Sequence, residues 1–122
     1  MGKVVLTIDD SKAVRDMIGF TLQPHGYQVY EAENGQEGLR QLDAVAPALV
    51  ITDLNMPVMN GIEFIEKARA LDESPWAAFR PLLTTETAPE MKARGKAAGA
   101  TGWIDKPFDA NKLIAVANKL LG

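Results

Sequence analysis

The sequence predicts an α/β domain: a doubly wound, five-stranded parallel sheet with five helices on its two faces. Two observations carry this expectation. Short apolar, β-branched runs alternate along the chain with segments whose apolar residues recur at helical spacing. Strands that alternate with helices pair in parallel through right-handed crossovers.

The first run, Val4-Val5-Leu6-Thr7-Ile8, has no helical period and stops at Asp9-Asp10-Ser11, which marks a buried strand. Val14, Met17, Ile18 and Leu22 then recur at helical spacing, and Pro24 and Gly26 end that helix. Tyr27 to Ala32 predicts a second strand, closed by Asn34-Gly35. Leu39, Leu42 and Val45 mark a second helix, with Pro47 at its exit. Ala48 to Thr52 predicts a third buried strand, followed by Asp53. The loop from Asn55 to Gly61 leads into a third helix carrying Ile62, Ile65, Ala68 and Leu71. Leu82-Leu83-Thr84 predicts a short fourth strand, unless it starts near Ala78 and tolerates Pro81, which is awkward inside a central strand. Pro89 opens a fourth helix that runs to Ala98 and stops at Gly99. Gly102-Trp103-Ile104 predicts the fifth strand, and Leu113, Val116, Ala117 and Leu120 the last amphipathic helix.

Composition narrows the function. The chain has 122 residues, enough for one domain with its own core, and a single domain over 1–122 with no output domain is expected. Lys plus Arg is 13 and Asp plus Glu is 16, so nothing electrostatic points to nucleic acid. There is no cysteine and one histidine, which removes disulfides, thiolate zinc sites and multi-histidine metal sites. No apolar run reaches membrane-spanning length, and no leader opens the chain. A cytoplasmic protein without a membrane partner is expected, and any metal should be hard and oxygen-ligated.

The acidic residues supply such a site. Asp9 and Asp10 end the first strand and Asp53 ends the third. In a doubly wound sheet all carboxyl ends lie on one edge, where ligands bind. Three converging carboxylates repel unless a cation sits between them, and oxygen-only ligands in a small site favour Mg²⁺. Aspartate also suits turns and helix caps, so the joint pattern with Asp53 is what points to a site. Lys106 ends the fifth strand and Thr84 the fourth, which brings a point charge and a hydroxyl to the same edge. That is a site for a metal-bound phosphoryl group, with Asp53 as a carboxylate nucleophile.

The motifs Asp9-Asp10, Asp53 through Gly61, Thr84-Thr85-Glu86 and Lys106-Pro107-Phe108 together resemble the receiver domain of two-component response regulators. The resemblance covers essentially the whole chain and looks most like the single-domain chemotaxis regulators of that family. It implies the flavodoxin-like strand order 2-1-3-4-5, for which this kind of regulator is a standard example. It also implies roles. Asp53 matches the phosphoacceptor. Asp10 matches the direct Mg²⁺ ligand, and Asp9 the partner that acts through water. Asp53 and the backbone carbonyl of Asn55 complete the metal set. Lys106 matches the lysine that contacts the phosphoryl group. Thr84, with Thr85 as the alternative, matches the switch hydroxyl, and Trp103 the switch aromatic. Asn55 and Glu86 match positions that tune phosphoryl lifetime. The implied partners are a sensor histidine kinase and a downstream target, such as a motor or other effector. That target would be reached through the fourth helix, fifth strand and fifth helix, and the protein is expected to be a monomer.

Asp105 departs from the family, which generally has an apolar residue before the lysine. Together with the short fourth strand, it motivates an alternative, a pseudo-receiver interaction module without a working phosphoryl cycle. A Mg²⁺-dependent phosphohydrolase is a second alternative. Such enzymes usually need an acid two residues past the nucleophile, and Asn55 cannot serve as one. His25 reads as an exposed loop residue, and Met56 and Met59 as packing residues. Lys92, Arg94 and Lys96 read as a solvated helix face, and Trp76 has no assigned role.

Overall fold

A computed structural model describes residues 3–54, 59–70, 80–85, 89–98, 100, 102–105 and 109–121. Among them β1 (Val4–Ile8), α1 (Lys12–Leu22), β2 (Gln28–Ala32), α2 (Gly35–Val45), β3 (Leu49–Asp53), α3 (Gly61–Arg69), β4 (Arg80–Thr85), α4 (Pro89–Ala98), β5 (Gly102–Asp105) and α5 (Ala110–Leu121) follow in order. The strands lie in the order β2-β1-β3-β4-β5 and every neighbouring pair is parallel.

α1, α2, α3 and α5 start where side chains satisfy their first free N–H groups. Ser11 Oγ accepts from Val14 N–H at 3.3 Å, and Asn34 Oδ1 from Glu37 N–H at 2.8 Å. Asn60 and Glu63 cap each other's backbone reciprocally at the start of α3. Asp109 Oδ1 accepts from Lys112 N–H at 2.7 Å at the start of α5. After α1 a 3-10 turn, Gln23–His25, ends at Gly26, whose φ of 91° needs a residue without a Cβ. His25 is exposed there. Ala46 ends α2 at φ 45°, a left-handed position where glycine is usual.

Alternation along the strands divides the core in two. Leu6, Ile8 and Val50 face one way and pack with Phe64 and Ile65 of α3 and Leu42 of α2. Val5, Leu49, Ile51 and Ile104 face the other way and pack with Ile18 and Leu22 of α1 and Leu113 and Ala117 of α5. All five residues of β3 are buried, as a strand covered on both faces requires.

Two of the boundaries that differ from expectation have clear reasons. Tyr27 stays outside β2 because its N–H donates to the Leu22 carbonyl, at 3.5 Å, rather than to a strand. β4 is longer than the short strand expected and runs through Pro81. Leu54 N–H donates to the Thr84 carbonyl at 2.9 Å, so the even-numbered residues of β4 turn their backbone groups to β3. Pro81 is odd, and its missing N–H would have pointed toward β5. There β5 has not begun, since its first partner is Leu82. The proline therefore removes no ladder bond. Among the described residues no helix is long and apolar enough to cross a membrane.

Candidate functional site

Parallel pairing puts the carboxyl ends of β1 and β3 side by side. Asp9 and Asp10 follow β1 directly, and Asp53 is the last residue of β3. The register pairs Ile8 with Thr52, so the two strands deliver their aspartates to one level. A carboxylate oxygen from each of Asp9, Asp10 and Asp53 lies within 4.8 Å of the other two. Asp9 and Asp53 are 2% and 6% exposed, while Asp10 is open to solvent.

Several bonds fix this arrangement. The Asp9 N–H donates to the Ala32 carbonyl at 3.1 Å, continuing the β1–β2 ladder by one residue. Asp9 Oδ1 accepts from Ser11 N–H at 2.9 Å. Ser11, not either aspartate, caps α1, although Asp9 does serve the turn that leads into it. The Thr52 hydroxyl donates to the Asp53 carbonyl at 3.1 Å. Thr84, 1% exposed, stands opposite Asp53 in the β3–β4 register.

The donor set is chemically uniform. It consists of carboxylate oxygens, two of them on buried residues and one on a residue facing water. Such a set fits a hard divalent cation that keeps part of its hydration shell, and Mg²⁺ is the usual one. No nitrogen or sulfur ligand stands in the group to favour a softer metal.

Other predicted residues fall in different places. Trp103 in β5 is half-buried and packs against the core on the α2–α3 side of the sheet. Arg94 and Lys96 of α4 are exposed. Met59 is buried in that same core, as a packing residue should be. The backbones of Thr85 and Asp105 pair with each other. Asn55, Met56, Trp76, Glu86 and Lys106 lie outside the described residues.

Sequence reasoning missed Arg15 and Glu31. Arg15 Nη1 donates to the Asp9 carbonyl at 2.6 Å, and its Nε donates to Glu31 Oε1 at 3.0 Å. A signal existed for the arginine. Helical side chains lean toward the N-terminus, so a residue one turn past the Ser11 cap can reach back to Asp9. Glu31 depended on the β1–β2 register, which pairs it with Thr7.

Comparison with known proteins gives a consistent result. Residues 5–118 match the family model described as response regulator receiver domain. The crystal structure of the Vibrio cholerae chemotaxis protein CheY4 is 39% identical, with a TM-score of 0.92, and covers 99% of this chain and 100% of its own. A signal receiver domain of a histidine kinase from Syntrophus aciditrophicus is 26% identical, with a TM-score of 0.87, over 98% of this chain and 90% of that one. The phosphate regulon transcriptional regulatory protein PhoB of Pseudomonas aeruginosa is 33% identical over 117 residues, which is 94% of this chain and 50% of that protein. The chain thus spans about half the length of the curated relatives it matches.

Proposed function

The chain belongs to the response regulator receiver domain family, and on that premise we propose that it is a phosphorylation-driven switch with Asp53 as phosphoacceptor. Receiver domains are signalling phosphoacceptors of two-component phosphorelays rather than classical enzymes. Membership implies a histidine kinase that supplies the phosphoryl group and an effector that reads the result. The observation that carries the residue assignment is the convergence of the Asp9, Asp10 and Asp53 carboxylates at the carboxyl edge of the sheet.

The chemistry follows from the position of Asp53. Its carboxylate oxygen attacks the phosphorus of a phosphohistidine, and a P–O bond forms as the P–N bond breaks. The electron pair leaves with the imidazole, which takes a proton from solvent. Asp9, Asp10, Asp53 and the Asn55 carbonyl would hold Mg²⁺, which when bound offsets charge on the transferring group. Lys106 would pair with a phosphoryl oxygen as a point charge. Thr84, opposite Asp53, would donate its hydroxyl to another. Drawing Thr84 toward the acceptor pulls on β4 beside β5, where Trp103 resides. Phosphorylation would thereby favour one of two existing arrangements of α4, β5 and α5, and a partner that prefers that arrangement reads it. Asn55 and Glu86 would set how fast water removes the phosphoryl group.

The pathway reading is motility signalling by a stand-alone receiver. It is supported by near-complete mutual coverage with a chemotaxis protein. Asp105, beside Lys106, favours a second reading, a pseudo-receiver without a phosphoryl cycle. One experiment separates the two. Tryptophan fluorescence is followed during titration with Mg²⁺ and then beryllofluoride, which stands in for the phosphoryl group on an aspartate. The chain has two tryptophans, so Trp76→Phe isolates Trp103. A saturable, Mg²⁺-dependent change that disappears in Asp53→Asn supports the acceptor. Absence of binding, checked by calorimetry, favours the pseudo-receiver, and Asp105→Val is then the first reversion to make.

A further inference from the structure

Among the described residues, Arg15 reaches the turn that carries the acidic cluster, and it does so through the main chain. It reaches the backbone carbonyl of Asp9 at 2.6 Å, while Glu31 of β2 holds the other side of the same group at 3.0 Å. Arg15 is largely buried, with 14% of its side chain exposed, against 43% for Glu31. The geometry points to a positioning pair: Glu31 anchors Arg15 on the Asp9 carbonyl, and this fixes the main chain from which the Asp9 and Asp10 carboxylates project toward Asp53.

The bonds at Asp9 make the argument. Its N–H is held by the Ala32 carbonyl and its Oδ1 by the Ser11 N–H. The carbonyl leads directly into the peptide of Asp10, and Arg15 is the side chain that restrains it. A guanidinium suits this task because its planar fork holds two bonds in a fixed relative direction, whereas the three donors of a lysine ammonium share one nitrogen and rotate. Glu31 also balances the arginine's charge. Without it the guanidinium would be free to turn onto the Asp9 or Asp10 carboxylate and compete with a cation.

The inference rests on the proposed metal role of the acidic cluster, and the test separates the two. Mg²⁺ affinity of the full chain is measured by calorimetry for wild type, Asp10→Asn, Arg15→Gln, Arg15→Lys and Glu31→Gln, with a melting temperature for each. Loss of a group that orients a metal ligand typically weakens affinity by about tenfold. Arg15→Gln is expected to weaken Mg²⁺ binding by about that factor. Simple electrostatics predicts the opposite sign, because the substitution removes a positive charge near the cation. Arg15→Lys should fail to restore affinity. Glu31→Gln should weaken binding in the same direction, and the double variant should be no worse than Arg15→Gln alone. Unchanged or tighter binding in folded Arg15→Gln would overturn the positioning role, even if the melting temperature falls. Wild type that binds no Mg²⁺, or binds it as well as Asp10→Asn does, would overturn the metal site itself and the pair with it.

Discussion

Thr84 stands directly opposite Asp53 across the β3–β4 ladder, and its carbonyl accepts the N–H of Leu54, the residue after that aspartate, at 2.9 Å. Thr84 and Asp53 are therefore joined through one rung of sheet, with no loop between. Thr84→Ala is expected to retain labelling of Asp53 by an acyl phosphate while losing most of the Trp103 fluorescence change. It should cost about 1 kcal/mol of stability for the buried methyl group. Thr84→Ser keeps the hydroxyl and should keep the response. Equal responses from the two variants would remove Thr84 from the switch.

With three carboxylates within 4.8 Å of one another, stability is expected to depend on a cation. A ligand that binds only the folded state at ~100 times its dissociation constant adds about 2.7 kcal/mol. Thermal unfolding in chelator and in saturating Mg²⁺ should show a gain of that order for wild type and little for Asp10→Asn. Asp53→Asn removes one of the repelling charges, so in chelator it should melt above wild type. A wild-type midpoint indifferent to Mg²⁺ would count against the site.

Gly38 of α2 is pressed against Ile8 of β1. A Cβ at Gly38 would overlap Ile8 Cδ1 and lie 3.1 Å from Phe64 Cε1. Ala is the better helix former by about 1 kcal/mol, yet Gly38→Ala should destabilise by about 1–3 kcal/mol through overpacking. Ile8→Val removes the obstructing methyl. Denaturant unfolding of the double variant should therefore show less loss than the sum of the two single changes. Simple additivity would mean that the core yields elsewhere.

Thr7 is fully buried in β1, and its hydroxyl has no hydrogen-bond partner among the described residues. Burying such a group without a partner costs about 1–3 kcal/mol. Thr7→Val, similar in shape, should leave stability unchanged or raise it in urea unfolding. A clear loss would show that the hydroxyl is bonded in solution.

These particulars show what can be read from a chain of this kind. The buried runs around Leu6 and Ile51 are apolar on both faces and β-branched, which only a strand covered on both sides requires. The acidic edge was legible because parallel strands end on one edge, and the strand order implied by the resemblance sets β1 beside β3. Pro81 was ambiguous because its tolerance depends on which neighbour its backbone faces and on where β5 begins, and neither is written locally. Tyr27 has strand-like chemistry, yet the preceding helix takes its N–H. Glu31 carried no local signal, because its place near Arg15 depends on the β1–β2 register. The missing information was in each case non-local pairing, while residue type and spacing carried the local part.

The proline in β4 has a last consequence. Among the described residues, β5 finds its ladder partners from Leu82 to Thr85, the part of β4 that leads to the acidic edge. β5 is thus joined to β4 over the stretch that ends beside Asp53, and a local opening of β5 would leave that end of β4 paired on one side alone. Amide exchange along β5, with and without a ligand at the edge, would show how far binding there tightens the strand. A substitution that loosens β5 from the far side would be felt as weaker binding, without touching any residue of the site.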